Sequence, residues 1–202
     1  MPSIYQLKPA FQNLLRPLVG GMAKAGITAN QVTIGAFLLS ALGGAAIAYR
    51  PDQSWPLLCL PAILFIRMAL NAVDGMLARE FAMKSRLGAV LNEMGDVASD
   101  SALYLPLAWV PGVPAAGVVA VVALAIMVEM MGVVAVQIGA DRRYDGPFGK
   151  SDRAFAFGLL ALALGLGLKP GPWLPWCFAL LAAISLWTLI NRARKALAMG
   201  AA

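Results

Sequence analysis

Asn71, Asp74, Asn92 and Asp96 stand in the segment NAVDGMLAREFAMKSRLGAVLNEMGD, residues 71 to 96, inside an otherwise apolar chain. On a helix, residues three and four apart share a face, so Asn71, Asp74 and Ala78 form one stripe, with Arg67 a turn earlier. Gly88, Asn92, Asp96 and Asp100 recur every four residues and form a second. Two such stripes on either side of a short basic turn can face each other. An uncompensated acid in a bilayer costs on the order of 3 kcal/mol, which turns these groups toward a cavity, a partner or a cation. Clustered carboxylate and amide oxygens suit a hard divalent ion such as Mg²⁺ or Mn²⁺. Zinc is disfavoured by a sequence with no His. Gly75, Ala78 and Gly88 clear volume beside the acids, either for close helix packing or for a flat ligand. Arg79 and Lys84 add cations that can hold a pyrophosphate by charge-assisted hydrogen bonds.

The elements that must position these residues are membrane helices. The 202 residues are 60% hydrophobic and 13% charged, with a mean hydropathy of +0.76, outside the usual range of soluble domains. Apolar stretches at about 31–49, 54–73, 87–110, 114–138, 154–168 and 173–190 approach the roughly 20 residues that cross a hydrocarbon core. The expectation is an all-α integral membrane protein of six transmembrane helices, the fifth being the shortest. It forms a single membrane domain over 1–202, with an interfacial helix in 1–27 and the bundle in 28–202. Ile4, Leu7, Phe11, Leu14, Leu15, Leu18 and Met22, interleaved with Lys8, Arg16 and Lys24, predict that first amphipathic helix. Gly26 is expected to stop it, and Thr28 with Gln31 to cap the next. Trp173 and Trp176 suit an interfacial belt. The N-terminal residues lack the pattern of a removable signal peptide. Cys59 and Cys177 lie in apolar runs and are expected to be buried thiols rather than a disulfide or metal pair.

Charge sets the orientation. With the N-terminus cytoplasmic, that face receives Lys8, Arg16, Lys24, Arg79, Lys84, Arg86, Arg142, Arg143, Lys150, Arg153, Arg192, Arg194 and Lys195. The other face receives Arg50 and Lys169, so both termini are expected inside. The net charge of +6 is then a property of the cytoplasmic face, suited to anionic lipids and phosphorylated substrates rather than to nucleic acid. The loop DRRYDGPFGKSDRA carries Arg142, Arg143, Lys150 and Arg153 among acids and glycines. It reads either as a solvated loop or as a phosphate-binding element for the acceptor. Glu93, Asp96 and Asp100 can share a face, so Glu93 and Asp100 either supplement the metal site or pair with Arg67 or another cation in the bundle. Glu129 is a further candidate partner for Arg67. ALGGAA permits close helix association, in a homodimer or within the chain.

The opening segment resembles the signature of the CDP-alcohol phosphotransferases: D, two residues, DG, two residues, AR, eight residues, G, three residues, D, three residues, D. Asp74, Gly75, Ala78, Arg79, Gly88 and Asp96 match in identity and spacing, while Asn71 and Asn92 occupy the first and third aspartate positions. The resemblance implies transfer of a phosphatidyl group from a CDP-linked lipid to a small polar alcohol, with release of CMP, at the cytoplasmic surface of a bacterial inner membrane. It implies one or two divalent ions held at Asn71, Asp74, Asn92 and Asp96, and Asp96 as general base. Gly75, Ala78 and Gly88 would frame the cytidine beside Asp74, with Arg79 near the phosphates. Two amides in place of carboxylates halve the formal charge of the set, so one ion rather than two becomes electrostatically plausible. A catalytically silent relative that binds nucleotide-lipid or a partner protein is the alternative, and a small transporter is a third reading.

Overall fold

The computed structural model describes residues 4–199. Among them the chain is helical throughout, without strands: α1 (Ile4–Lys24), α2 (Ala29–Tyr49), α3 (Ser54–Glu80), α4 (Arg86–Tyr104), α5 (Ala115–Gln137), α6 (Lys150–Gly165) and α7 (Trp173–Met199). The side chains of Ile4, Leu7 and Lys8 lie outside the described residues. Gly26, at φ +77°, ends α1 in a Schellman arrangement, with Ile27 N–H on the Met22 carbonyl (3.0 Å) and Gly26 N–H on Ala23 (3.1 Å). Thr28 and Gln31 then form the capping box of α2 (3.3 and 2.9 Å).

Four helices, α2, α3, α5 and α7, are long and apolar enough to cross a membrane. The two others expected to span differ for identifiable reasons. Helix α4 places Asn92, Glu93, Asp96 and Asp100 within its 19 residues, and Pro106, which has no N–H to donate, tightens the following Leu105–Trp109 into a 3-10 turn. Helix α6 has only 16 residues. Helix α3 runs through Glu80 and α7 through Met199, each carrying its helix past the apolar run into charged residues.

Helix α2 packs on α3 and α4, α3 on α6, and α5 on α7. The main core joins Ile47, Leu60, Leu64, Leu103, Tyr104, Phe157 and Phe178, with the Tyr104 and Phe157 rings stacked at 4.1 Å. A second cluster, Val19, Val32, Val73, Met76 and Leu77, ties α1 and the start of α2 to the end of α3. The small residues of ALGGAA serve packing within the chain. A Cβ at Gly43 would lie 2.7 Å from Ile63 Cδ1, and one at Gly44 would overlap the Ala102 carbonyl oxygen. Gly44→Ala is therefore expected to destabilise the bundle by about 1–3 kcal/mol through overpacking, read as a lower thermal midpoint in detergent.

Leu42, Phe65, Trp176, Leu180 and Trp187 are well exposed, as in a protein whose solvent is lipid. Cys59 belongs to that surface and Cys177 is half-buried, both as free thiols. They sit on the apolar exterior, where lipid covers what a core would have buried.

Candidate active site

The last turns of α3 and the first half of α4 meet the start of α2. Asp74 is 5% exposed, and Thr33 Oγ1 of α2 donates to its Oδ2 at 2.7 Å. One turn earlier, Asn71 Nδ2 reaches across to Asp96 Oδ1 of α4 at 3.2 Å. The ammonium of Lys150, the first residue of α6, forms an ion pair with the same Asp96 oxygen. Asp96 keeps 29% side-chain exposure, and its Oδ2 accepts no hydrogen bond from the described residues. Asn92, a turn before Asp96, is exposed.

The glycines occupy the surface between these groups. The Arg79 guanidinium folds back over Gly75, where a Cβ would lie 3.1 Å from both Nη atoms. At Gly88 a Cβ would lie 2.8 Å from Asn30 Oδ1 and 3.0 Å from Ser85 Oγ, the hydroxyl that caps α4. Ala78 is half-buried on the face packed against α1 and α2. Asn30, beside Gly88, and Thr33, the donor to Asp74, join the candidate site although the motif does not include them. Their signal is present, since they sit three apart on one face of TANQVT, a segment whose role as the entry to α2 says nothing of Asp74.

Asp100 and Glu93 hold cations elsewhere. Asp100 is buried between Arg67 and Arg153, pairing with Arg67 through Oδ1 and with Arg153 through Oδ2 at 3.1 Å. Glu93 pairs with Arg142 at 2.6 Å. Glu129 of α5 meets Arg153 at 2.9 Å and Arg192 at 3.5 Å, rather than the Arg67 that the sequence offered it. Arg153 is 1% exposed, so this cation of the basic loop points into the bundle.

The rest of the loop is stapled down by its own acids. Arg143 and Lys195 both pair with Asp145, at 2.7 and 2.8 Å. The hydrogen bonds from Lys195, then Arg143, hold the Asp145 carboxyl below its ordinary range. Arg192 donates to the Asp145 and Val128 carbonyls, and Phe148 N–H to Thr188 Oγ1 at 3.1 Å. Gly146, at φ +120° and in contact with Thr188, fits where a side chain would not. Of the four loop cations, Arg142 pairs with Glu93 and Glu129, Arg143 with Asp145, Arg153 with Asp100 inside the bundle, and Lys150 alone reaches Asp96.

Two carboxylates, two amides and flanking cations thus gather at one end of an all-helical bundle, between helices joined by a short basic turn. The chain belongs to the CDP-alcohol phosphatidyltransferase family, which residues 26–196 match. It is 46% identical, over 199 residues and 98% of each chain, to the inner membrane protein YnbA of Escherichia coli (strain K12). Its fold is similar to that of Mycobacterium tuberculosis phosphatidylinositol phosphate synthase with CDP-DAG bound, at a TM-score of 0.75 and 22% identity over 89% of this chain and 92% of that one. The structure of that synthase in complex with manganese and citrate superimposes equally well, at a TM-score of 0.75 and 22% identity over 90% and 88%.

Proposed function

We propose that this protein transfers a phosphatidyl group from a CDP-linked lipid, CDP-diacylglycerol in type, to a small polar alcohol and releases CMP, as a step of phospholipid synthesis. The observation that carries the reading is the pairing of stripes across α3 and α4, with Asn71 bonded to Asp96 and Asp74 buried beside them. Family membership supports the reaction class.

Asp96 Oδ2 is the base: it takes the proton of the acceptor hydroxyl, whose oxygen attacks the lipid-bearing phosphorus of the donor. The bond from that phosphorus to the bridging oxygen breaks, and CMP leaves with the electron pair. Gly75 and Gly88 add no side chain where Arg79 lies over the one and Asn30 and Ser85 lie beside the other; in this reading the base is framed there and Arg79 leaves Gly75 for the phosphates. The donor set fits a hard divalent ion, since Asp74, Asp96 and the amide oxygens of Asn71 and Asn92 are all oxygen ligands and Asp96 already attracts a cation. With two carboxylates and two amides at the four positions, the charge of the set suits one Mg²⁺ or Mn²⁺. When bound, that ion offsets charge on the phosphoryl oxygens and the leaving CMP.

In this reading α4 and α6 cross the membrane with the four apolar helices. Their polar groups are turned inward, as Asp100, Glu129 and Arg153 are. Both termini and the site lie on the cytoplasmic side of a bacterial inner membrane, and α1 lies in the interface. Arg16 anchors α1 to Glu80 at the end of α3, at 3.1 Å.

Purified protein with Mg²⁺ or Mn²⁺ is expected to release CMP from CDP-diacylglycerol only when the right alcohol is present. A panel of acceptors, with and without phosphate, identifies it. Absence of CMP release across the panel, together with absence of donor binding, would contradict the proposal; donor binding without turnover would leave a silent relative.

A further inference from the structure

The site contains a cation supplied by the chain itself. Lys150 pairs with Asp96 through the oxygen that also accepts from Asn71. Its position is fixed from several sides. Phe148 is buried and its N–H is held by Thr188. Gly149 N–H donates to Asp152 Oδ2 at 2.9 Å, closing the first turn of α6. Arg153, one turn on from Gly149, is locked between Asp100 and Glu129. A lysine is a flexible residue, but this one starts from a rigid base. The pair itself stays open, with side-chain exposures of 30% for Lys150 and 29% for Asp96, so a ligand can reach it.

The charges of the four signature positions explain why a fixed cation belongs there. Asp74 and Asp96 carry two negative charges, and Asn71 and Asn92 carry none. With Lys150 included, the group is negative by a single charge. One divalent ion brings it to a single positive charge. A second would bring the group to three positive charges beside Asp74, a carboxylate only 5% exposed, an arrangement that desolvation penalises.

We propose that Lys150 is a tethered cation that takes the place of a second divalent ion at Asp96, so that the site binds one metal and uses the ammonium as its other positive charge. This rests on the metal-dependent transferase reading. It makes Lys150 a positioning and charge-balancing residue at the acceptor side of the site. It also gives the two asparagines a role, because a full set of four carboxylates would call for more positive charge than one ion and one lysine provide.

The test is Mn²⁺ binding to the full chain in detergent, followed by electron paramagnetic resonance, with CMP release measured on the same preparations. Wild type is expected to bind one Mn²⁺ per chain. Lys150→Gln removes a cation that competes for Asp96 and is expected to tighten Mn²⁺ binding about tenfold while CMP release falls. Lys150→Arg is expected to keep the wild-type affinity and part of the turnover. A purely structural lysine would not tighten metal binding when removed. Two Mn²⁺ per wild-type chain would overturn the inference even if Lys150→Gln fails to fold, and so would unchanged Mn²⁺ affinity in folded Lys150→Gln. Wild type that binds no Mn²⁺ overturns it as well, and CMP release from that preparation separates this outcome from failure of the transferase reading.

Discussion

Asp96→Asn is expected to lower CMP release by about 10²–10⁴-fold, the usual worth of a positioned general base, and to leave the protein folded. The substitution keeps the size of the side chain and the oxygen that accepts from Asn71 and Lys150. What it removes is the basic oxygen, Oδ2, together with half of the carboxylate charge of the signature set. Because Asp96 is 29% exposed, its neutral replacement strands no deeply buried charge. A loss of activity without loss of thermal stability is the signature to look for. Asp74→Asn is the informative companion. It keeps an oxygen for Thr33 to donate to, so activity lost there tracks charge at the proposed metal position rather than the hydrogen bond.

Asp100→Ala should behave in the opposite way. Asp100 is enclosed with Arg67 and Arg153, at 3% and 1% side-chain exposure, and removing it leaves both guanidiniums without their shared carboxylate. Breaking a buried pair from one side costs about 3–5 kcal/mol, because the remaining charge is still desolvated. Arg153 retains Glu129, whereas Arg67 depends on Asp100, so the cost falls mainly on Arg67. The expected result is a large drop in thermal midpoint, with Mn²⁺ affinity in the folded fraction unchanged. Weaker Mn²⁺ binding at unchanged stability would instead place Asp100 among the metal-supporting acids.

The contrast between these two acids, one turn apart on α4, shows what a sequence can and cannot display. Spacing put Asp96 and Asp100 on one stripe of α4 and Asn71 with Asp74 on another, and these stripes do meet. Periodicity along one helix is a local property, and it survives folding. The partner of each charge is set across the bundle, by helices far apart in the chain. Asp100 was legible as an acid in a span with Arg67 among its candidate partners; local spacing could not choose between that pair and the metal site, nor show Arg153 of α6 as the second partner. Arg153 makes the same point from the cationic side. Its place in a basic loop suggested phosphate, yet it begins the interior face of α6 and ends between Asp100 and Glu129.

Local stop signals are legible in the sequence. Gly26 and the Thr28–Gln31 pair end and start helices as their chemistry dictates, since both act within one turn of chain. Helix lengths were less legible. Hydropathy reports where apolar residues stop, and α3 and α7 continue beyond that point into charged residues while keeping their backbone hydrogen bonds. Asn30 and Thr33 are less legible, because in the sequence they belong to the entry of α2 and nothing local links them to the acids. Only the approach of α2 to α3 reveals Thr33 as the donor that holds Asp74.

The most direct measurement follows both products of the transfer. Protein reconstituted with CDP-diacylglycerol, Mn²⁺ and the acceptor found in the panel is predicted to yield CMP and the phosphatidyl-alcohol in equal amounts, and Asp96→Asn to yield neither above background. CMP formed without phosphatidyl product, or equal product formation by folded Asp96→Asn, would contradict the account.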